Sequence, residues 1–207
     1  MTEPIATLLT WLSPSYPVGA FTFSHGLEWA MEVGAIGDAA SAQAWIADCL
    51  HHGAGRSDAI LLAHAMRGED VAGLAEALAP TAERLEETMA QGAAFAEVTG
   101  VARGLDLAPA PYPVVLGQAA ALVGLPRRET IHAYLTAFAA NLISAAIRLV
   151  PLGQTQGQVI QSRLAPGIAT LTEDALAATL DDLGGCAILA DIASMRHETQ
   201  DVRLFRS

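Results

Sequence analysis

Apolar positions recur along most of this chain at the three- and four-residue spacing of a helix face. No run of four to eight β-branched or aromatic residues alternates convincingly with polar ones, so the pattern predicts an all-α protein. A first helix is expected from Pro4 to Leu12, with proline in its first turn and Pro14 at its end. After residues 13–28, Ser24 is placed to cap a helix through Leu27, Trp29, Ala30 and Val33, with Gly34 as its stop. Asp38 caps the next, whose Ala42, Trp45, Ile46, Cys49 and Leu50 share a face before Gly53. Ser57 is read as the cap of a helix through Ile60, Leu61, His64 and Ala65, closed by Gly68. A short helix over Asp70 to Ala79 ends at Pro80, and Thr81 caps a long one reaching Leu105, with Glu83, Glu86 and Glu87 near its positive end.

Pro109, Pro111 and Pro113 then form a stiff connector. The helices on either side are too apolar to stand alone, so it is read as a crossover within one domain. A helix over Val114 to Val123 leads to the most apolar segment, which Pro126 opens and Pro151 closes. Ala139, Ala140, Ala145 and Ala146 keep that helix thin enough for close neighbours. Helices near Gln154 to Leu164, Thr172 to Leu183 and Cys186 to Met195 complete the expectation, with Thr172-Glu173-Asp174 as a start signal. The whole is a single domain over residues 1–207, a helical bundle of about ten helices packed around the central apolar one.

One stretch departs from the helical pattern. Residues 13–28 hold Pro14, Pro17, Gly19, Gly26, Tyr16, Phe21 and Phe23. Two prolines forbid a continuous helix, so the segment is a shaped loop, and its aromatic load either folds onto the core or forms a docking surface.

Composition narrows the function classes. With 22 acidic against 11 basic residues and a net charge of −11, the 207-residue chain lacks the footprint of a nucleic-acid binder. Every one of its cations is arginine, which favours forked pairing at interfaces and excludes both a P-loop lysine and Schiff-base chemistry. The two cysteines, Cys49 and Cys186, do not resemble a disulfide framework. No charged, apolar leader opens the sequence, so a cytoplasmic location is expected. His132, Asn141 and Arg148 interrupt the apolar run Ile131 to Val150, which favours a core helix over a membrane span.

Catalytic signatures are missing: there is no nucleophile elbow, no Walker motif and no paired C-x-x-C. Cys49, His51 and His52, with His25 as an addition, are the metal candidates; Cys49 and His52 can share a helical face, and thiolate with imidazole suits zinc or nickel, but the same residues fit a helix C-terminus, and no third ligand is evident beside that pair. Gln154 and Gln158 lie one turn apart after Pro151 and Gly153, either as solvated amides or as lining for a channel or partner contact. At the C-terminus, Arg203-Leu204-Phe205-Arg206 sets two apolar anchors between two guanidinium groups, a composition enriched at interface hot spots. Such a tail fits docking on a partner better than a solvated end.

Three stretches together resemble the urease accessory UreF family. They are Ser13-Pro14, Pro17-Val18-Gly19, Phe21, Ser24 and Gly26-Leu27-Glu28; Val150-Pro151-Leu152-Gly153-Gln154 with Gly157-Gln158; and His197-Glu198 with Arg203-Leu204-Phe205-Arg206-Ser207. Asp201-Val202 stand where many relatives carry Tyr-Ser. The resemblance implies an all-α, non-catalytic chaperone without a cofactor of its own. It is expected to form a homodimer, to bind the accessory protein UreD (also called UreH), to recruit and modulate the GTPase UreG, and to assist nickel insertion into apo-urease. On that reading residues 13–28 recruit UreG, and 197–207 form a tail that orders when UreD binds.

A division of roles follows from the residue types. Phe21 and Tyr16 serve as exposed anchors while Phe23 staples the helix start, and Gly19 and Gly26 permit close backbone approach, with His25 between them and the helix. Glu28 lies free to meet a cationic partner, Arg203 pairs with a carboxylate and Phe205 fills a pocket, flanked by Leu204 and Arg206. Gln154 and Gln158 complete the partner-facing set. The alternative is an all-α metallochaperone that passes nickel through its own ligands, suggested by Cys49, His51, His52 and His25. An all-α enzyme acting on an apolar substrate is suggested only by the aliphatic content.

Overall fold

The computed structural model describes residues 3–206. Ten α-helices and two 3-10 turns account for the regular structure, and no strand occurs among the described residues. In chain order they are α1 (Glu3–Trp11), a 3-10 turn (Ala20–Thr22), α2 (Leu27–Glu32), α3 (Ala39–His51), α4 (Ala54–Ala65), α5 (Ala72–Ala77), α6 (Ala82–Arg103), α7 (Tyr112–Leu122), α8 (Arg127–Leu149), α9 (Gln154–Ala177), a second 3-10 turn (Leu180–Asp182) and α10 (Ile188–His197).

Local chemistry sets most boundaries. Asp38 accepts the backbone N–H of Ser41 at 2.8 Å and closes a capping box, and Thr81 accepts that of Arg84 at 3.1 Å. Gly34, Gly68 and Gly104 end their segments in the left-handed region. Two expected caps fail. Ser57 lies inside α4, which starts at Ala54 with Gly53 as its N-cap, because the buried face of that helix extends back to Gly55. Gly26, not Ser24, is the N-cap of α2, but Ser24 still serves its first turn, its carbonyl accepting the Leu27 N–H and its Oγ the Glu28 N–H at 3.5 Å.

The largest difference from expectation is α9, one continuous helix where two were expected, with Pro166 inside it. Proline in a helix interior costs about 3 kcal/mol. Against this stands an unbroken buried stripe of Ile160, Leu164, Ile168, Leu171 and Ala175, each large aliphatic contributing about 1.5–3 kcal/mol on burial. Pro166 and Ser162, whose carbonyl loses its partner, both face solvent, where water can satisfy the freed group. Thr172 starts no helix: its hydroxyl donates back to the Ile168 carbonyl at 2.7 Å.

Helix α8 packs against α2, α3, α4 and α9, and its Ala139, Ala145 and Ala146 are buried while Ala140 is exposed. It has the length and mean hydropathy of a membrane span, 1.4, with half of that window buried inside the fold. Helix α4 lies deeper still, with nine of its twelve residues buried. The proline connector closes over α6 so tightly that a Cβ at Gly92 would stand 1.8 Å from the Ala110 carbonyl oxygen. The Tyr112 N–H, donated to Thr88 Oγ1 at 3.1 Å, pins the start of α7 there.

Candidate functional site

Residues 13–28 form a loop fastened from within. Val18 and Phe23 are buried, and the Tyr16 hydroxyl meets Thr99 Oγ1 at 2.7 Å while its ring packs 5.7 Å from Phe95. Tyr16 is therefore a prop and not the exposed anchor expected of it. Gly19, at φ 75°, turns the chain into the 3-10 turn and lifts Phe21 outward, leaving that ring 57% exposed. His25 adopts φ 52°, unusual for a residue with a side chain, and its Nε2 faces Glu87 at 3.1 Å. Gly26 follows at φ 73°, where a Cβ would stand 2.7 Å from the Ala193 Cβ, so α10 lies directly on the loop's end.

The C-terminal tail lies on this loop. Past α10 the chain folds back across α2, and the Glu28 carboxylate accepts the backbone N–H of Leu204 at 2.7 Å and of Phe205 at 2.9 Å. The Arg206 N–H donates to the Thr22 carbonyl at 2.7 Å. Phe205 is 6% exposed, with the Arg148 guanidinium 4.8 Å above its ring; the same guanidinium donates to the Phe21 carbonyl at 3.0 Å. Arg206 pairs with Glu86, and Arg203 stands 3.4 Å from Glu83.

These placements change several roles. Glu28 is 4% exposed and occupied by its own chain, so it is not free to meet a cationic partner. Phe205 fills a pocket of its own chain, and Arg203 finds its carboxylate there too. Three apolar side chains stay exposed here, Phe21 in the loop and Val202 and Leu204 in the tail, the last 78% exposed, with Arg203 and Arg206 also on the tail's exposed side. Gln154 and Gln158 are exposed on the first turns of α9 and share no hydrogen bond with this cluster among the described residues.

Beneath the tail lies a buried ionic group. His197 Nδ1 stands 2.8 Å from a Glu83 oxygen and Nε2 3.1 Å from a Glu28 oxygen, and Ser194 Oγ donates to Glu83 at 3.3 Å. Burial opposes a charge on His197, but the hydrogen bonds and charges of Glu83 and Glu28 outweigh it and hold its pKa above the ordinary histidine value.

A second buried group joins the loop to the core. Arg84 reaches Asp58 at 2.5 Å and Glu87 at 3.3 Å, Tyr134 donates to Asp58 at 2.6 Å, and Gln91 donates to Glu87 at 2.8 Å. Burial pushes the Asp58 carboxyl up in spite of Arg84, and pushes the Tyr134 phenol up as well. For Glu87 the same burial is outweighed by His25 and Arg84, and its pKa falls. Cavities of about 40, 20 and 40 Å³ adjoin this group, all three lined by Arg84 and each large enough for ordered water. Sequence reasoning assigned Glu83 and Glu87 to a helix dipole. Their signal is the stripe Glu83, Glu87, Gln91, Phe95, Thr99, spaced by four on one face of α6, in which the apolar Phe95 marks the face as inward.

The metal candidates do not converge. Cys49 is buried, with its thiol pKa pushed up by burial, and His51 packs against Gly167 of α9. The rings of His51 and His52 are 6.4 Å apart. Among the described residues no group of three or more His, Cys, Asp or Glu side chains is arranged to hold a metal ion.

Comparison with known proteins shows the family. The UreF family profile matches residues 36–165, a segment that contains Val150 to Gln158 but neither the loop nor the tail. Relatives cover both ends. A urease accessory protein UreF of Cereibacter sphaeroides (strain ATCC 17023) is 56% identical over 210 residues, spanning 100% of both chains. UreF proteins of Ruegeria pomeroyi and of Rhodopseudomonas palustris (strain HaA2) are 49% and 48% identical, over 99% and 97% of this chain and 97% and 92% of their own. Family profile, full-length relatives and the all-α fold agree: this chain belongs to the UreF family of urease accessory proteins.

Proposed function

We propose that this protein is a non-catalytic chaperone of urease maturation, acting in the cytoplasm, which binds UreD (UreH), recruits and modulates the GTPase UreG, and so assists delivery of nickel to apo-urease. The observation that carries this reading is the composite surface of loop and tail. Phe21, Val202 and Leu204 are exposed apolar anchors among Arg203 and Arg206, on a backbone already ordered by Glu28 and Phe205. Preorganisation of this kind removes part of the entropic cost of binding, and the phenylalanine and arginines of this set are residue types enriched at interfaces. Nickel is cargo in this scheme, passed between partners.

The alternative, nickel carried on Cys49, His51 and His52, is favoured by nothing in the site: the thiol lies in the core and one imidazole is packed against α9. A homodimer is retained from the family resemblance. Co-purification with tagged UreD and UreG tests the proposal. The full chain is expected to bring down both, and a chain ending at residue 197 neither. Undiminished recovery of both proteins with the shortened chain would refute the role given to the tail.

A further inference from the structure

We propose that His197 is the catch of a pH-sensitive clasp: as an imidazolium between Glu28 and Glu83 it holds the C-terminal tail on the loop, and its deprotonation as pH rises lets the tail go.

Geometry carries this inference. His197 is fully buried, and each of its ring nitrogens faces a carboxylate oxygen, at 2.8 and 3.1 Å. A carboxylate only accepts, and a neutral imidazole has one N–H, so satisfying both contacts requires the doubly protonated ring. The charged groups around it come from three elements: Glu28 on α2, Glu83 on α6 and Arg203 in the tail, with the Ser194 hydroxyl on its own helix. Glu86 is engaged by Arg206, and Glu87 by Arg84 and His25. Two carboxylates thus balance one imidazolium and one guanidinium. Removing the His197 proton sets a ring lone pair against a carboxylate oxygen and leaves one buried negative charge uncompensated.

Glu28 passes that change to the tail. The oxygens that meet His197 and the tail belong to one carboxylate, since Oε2 faces both His197 Nε2 and the Phe205 N–H while Oε1 takes the Leu204 N–H. A Glu28 side chain that rotates towards water gives up both backbone bonds. The sign follows from linkage. Because the His197 pKa is raised in the folded chain, its stabilisation is complete below the unfolded value near 6.5 and is lost as pH rises through the folded value. The clasp belongs to this chain alone and stands whichever partner the surface takes.

Trypsin cleavage after Arg203 reports tail release in the full-length protein. The rate, followed by intact mass and divided by that of a free peptide of residues 198–207, is measured from about pH 6 to about pH 10. The clasp predicts a rise of about tenfold across the titration of His197, whose ring carries two nitrogen-bound protons at neutral pH by ¹⁵N NMR. His197→Gln should cleave fast at every pH, without the step. The proposal fails if the wild-type relative rate is flat while His197 titrates, if the ring is neutral at pH 7, or if His197→Gln retains the step. Should that variant not fold, the wild-type profile and the NMR spectrum decide alone.

Discussion

Glu28 and His197 stand 3.1 Å apart in the core although 169 residues separate them, and through this contact the second helix fixes the course of the last residues of the chain. Both the organisation of the candidate surface and its sensitivity to substitution follow from that pair.

Replacement of Glu28 by Gln keeps the shape but removes the charge that three donors share. Hydrogen bonds to a charged group are worth about 1.5–3 kcal/mol each. Tail docking should therefore be lost while most of the helical fold persists. Trypsin sensitivity at Arg203 combined with far-UV circular dichroism would show cleavage without loss of helix.

Phe205→Ala separates local from global stability. A buried phenylalanine truncated in a rigid core costs about 3–5 kcal/mol. Here the segment is terminal and can detach, so the loss is capped at the docking energy of the tail. The urea midpoint should move little, whereas amide exchange at Leu204 and Phe205 should rise to that of an exposed segment.

Asp58→Ala should be far more damaging. It leaves the buried Arg84 guanidinium with Glu87 alone and the Tyr134 hydroxyl without its acceptor. Breaking a buried pair from one side typically costs about 3–5 kcal/mol. Urea unfolding should show a loss of this size, and Asp58→Ala with Arg84→Met should recover part of it.

Glu87 governs the acid limit. Its folded pKa lies below the ordinary value of 4.5, so its contribution is complete above that value and is lost as pH falls through the folded one. Stability measured from pH 7 downward should fall in this window, and Glu87→Gln should flatten the fall.

Residues with strong local chemistry were legible in the sequence. Asp38, Thr81, Gly34, Pro126 and Pro151 mark helix ends where the structure places them within a residue or two. Ser57 and Thr172 misled because a hydroxyl also fits mid-helix, where that of Thr172 bonds back to the Ile168 carbonyl, and burial of the stripe, not the cap, decides where the helix runs. Pro166 misled for the same reason. The exposed Phe21 was correctly separated from Phe23, but Tyr16 and Glu28 were not, because their partners are far away in sequence. Thr99 holds the first, and His197 with the tail holds the second. No periodicity encodes a contact of that range.

The central claim, that loop and tail together form the partner surface, is tested most directly by Phe21→Ala with Leu204→Ala. Both side chains are exposed, so the double variant should keep the wild-type melting temperature and the trypsin resistance of its tail. The account predicts at least about a tenfold loss of UreG recovered with the UreD complex, as for removal of two interface anchors. Full recovery of UreG by a folded double variant would contradict it.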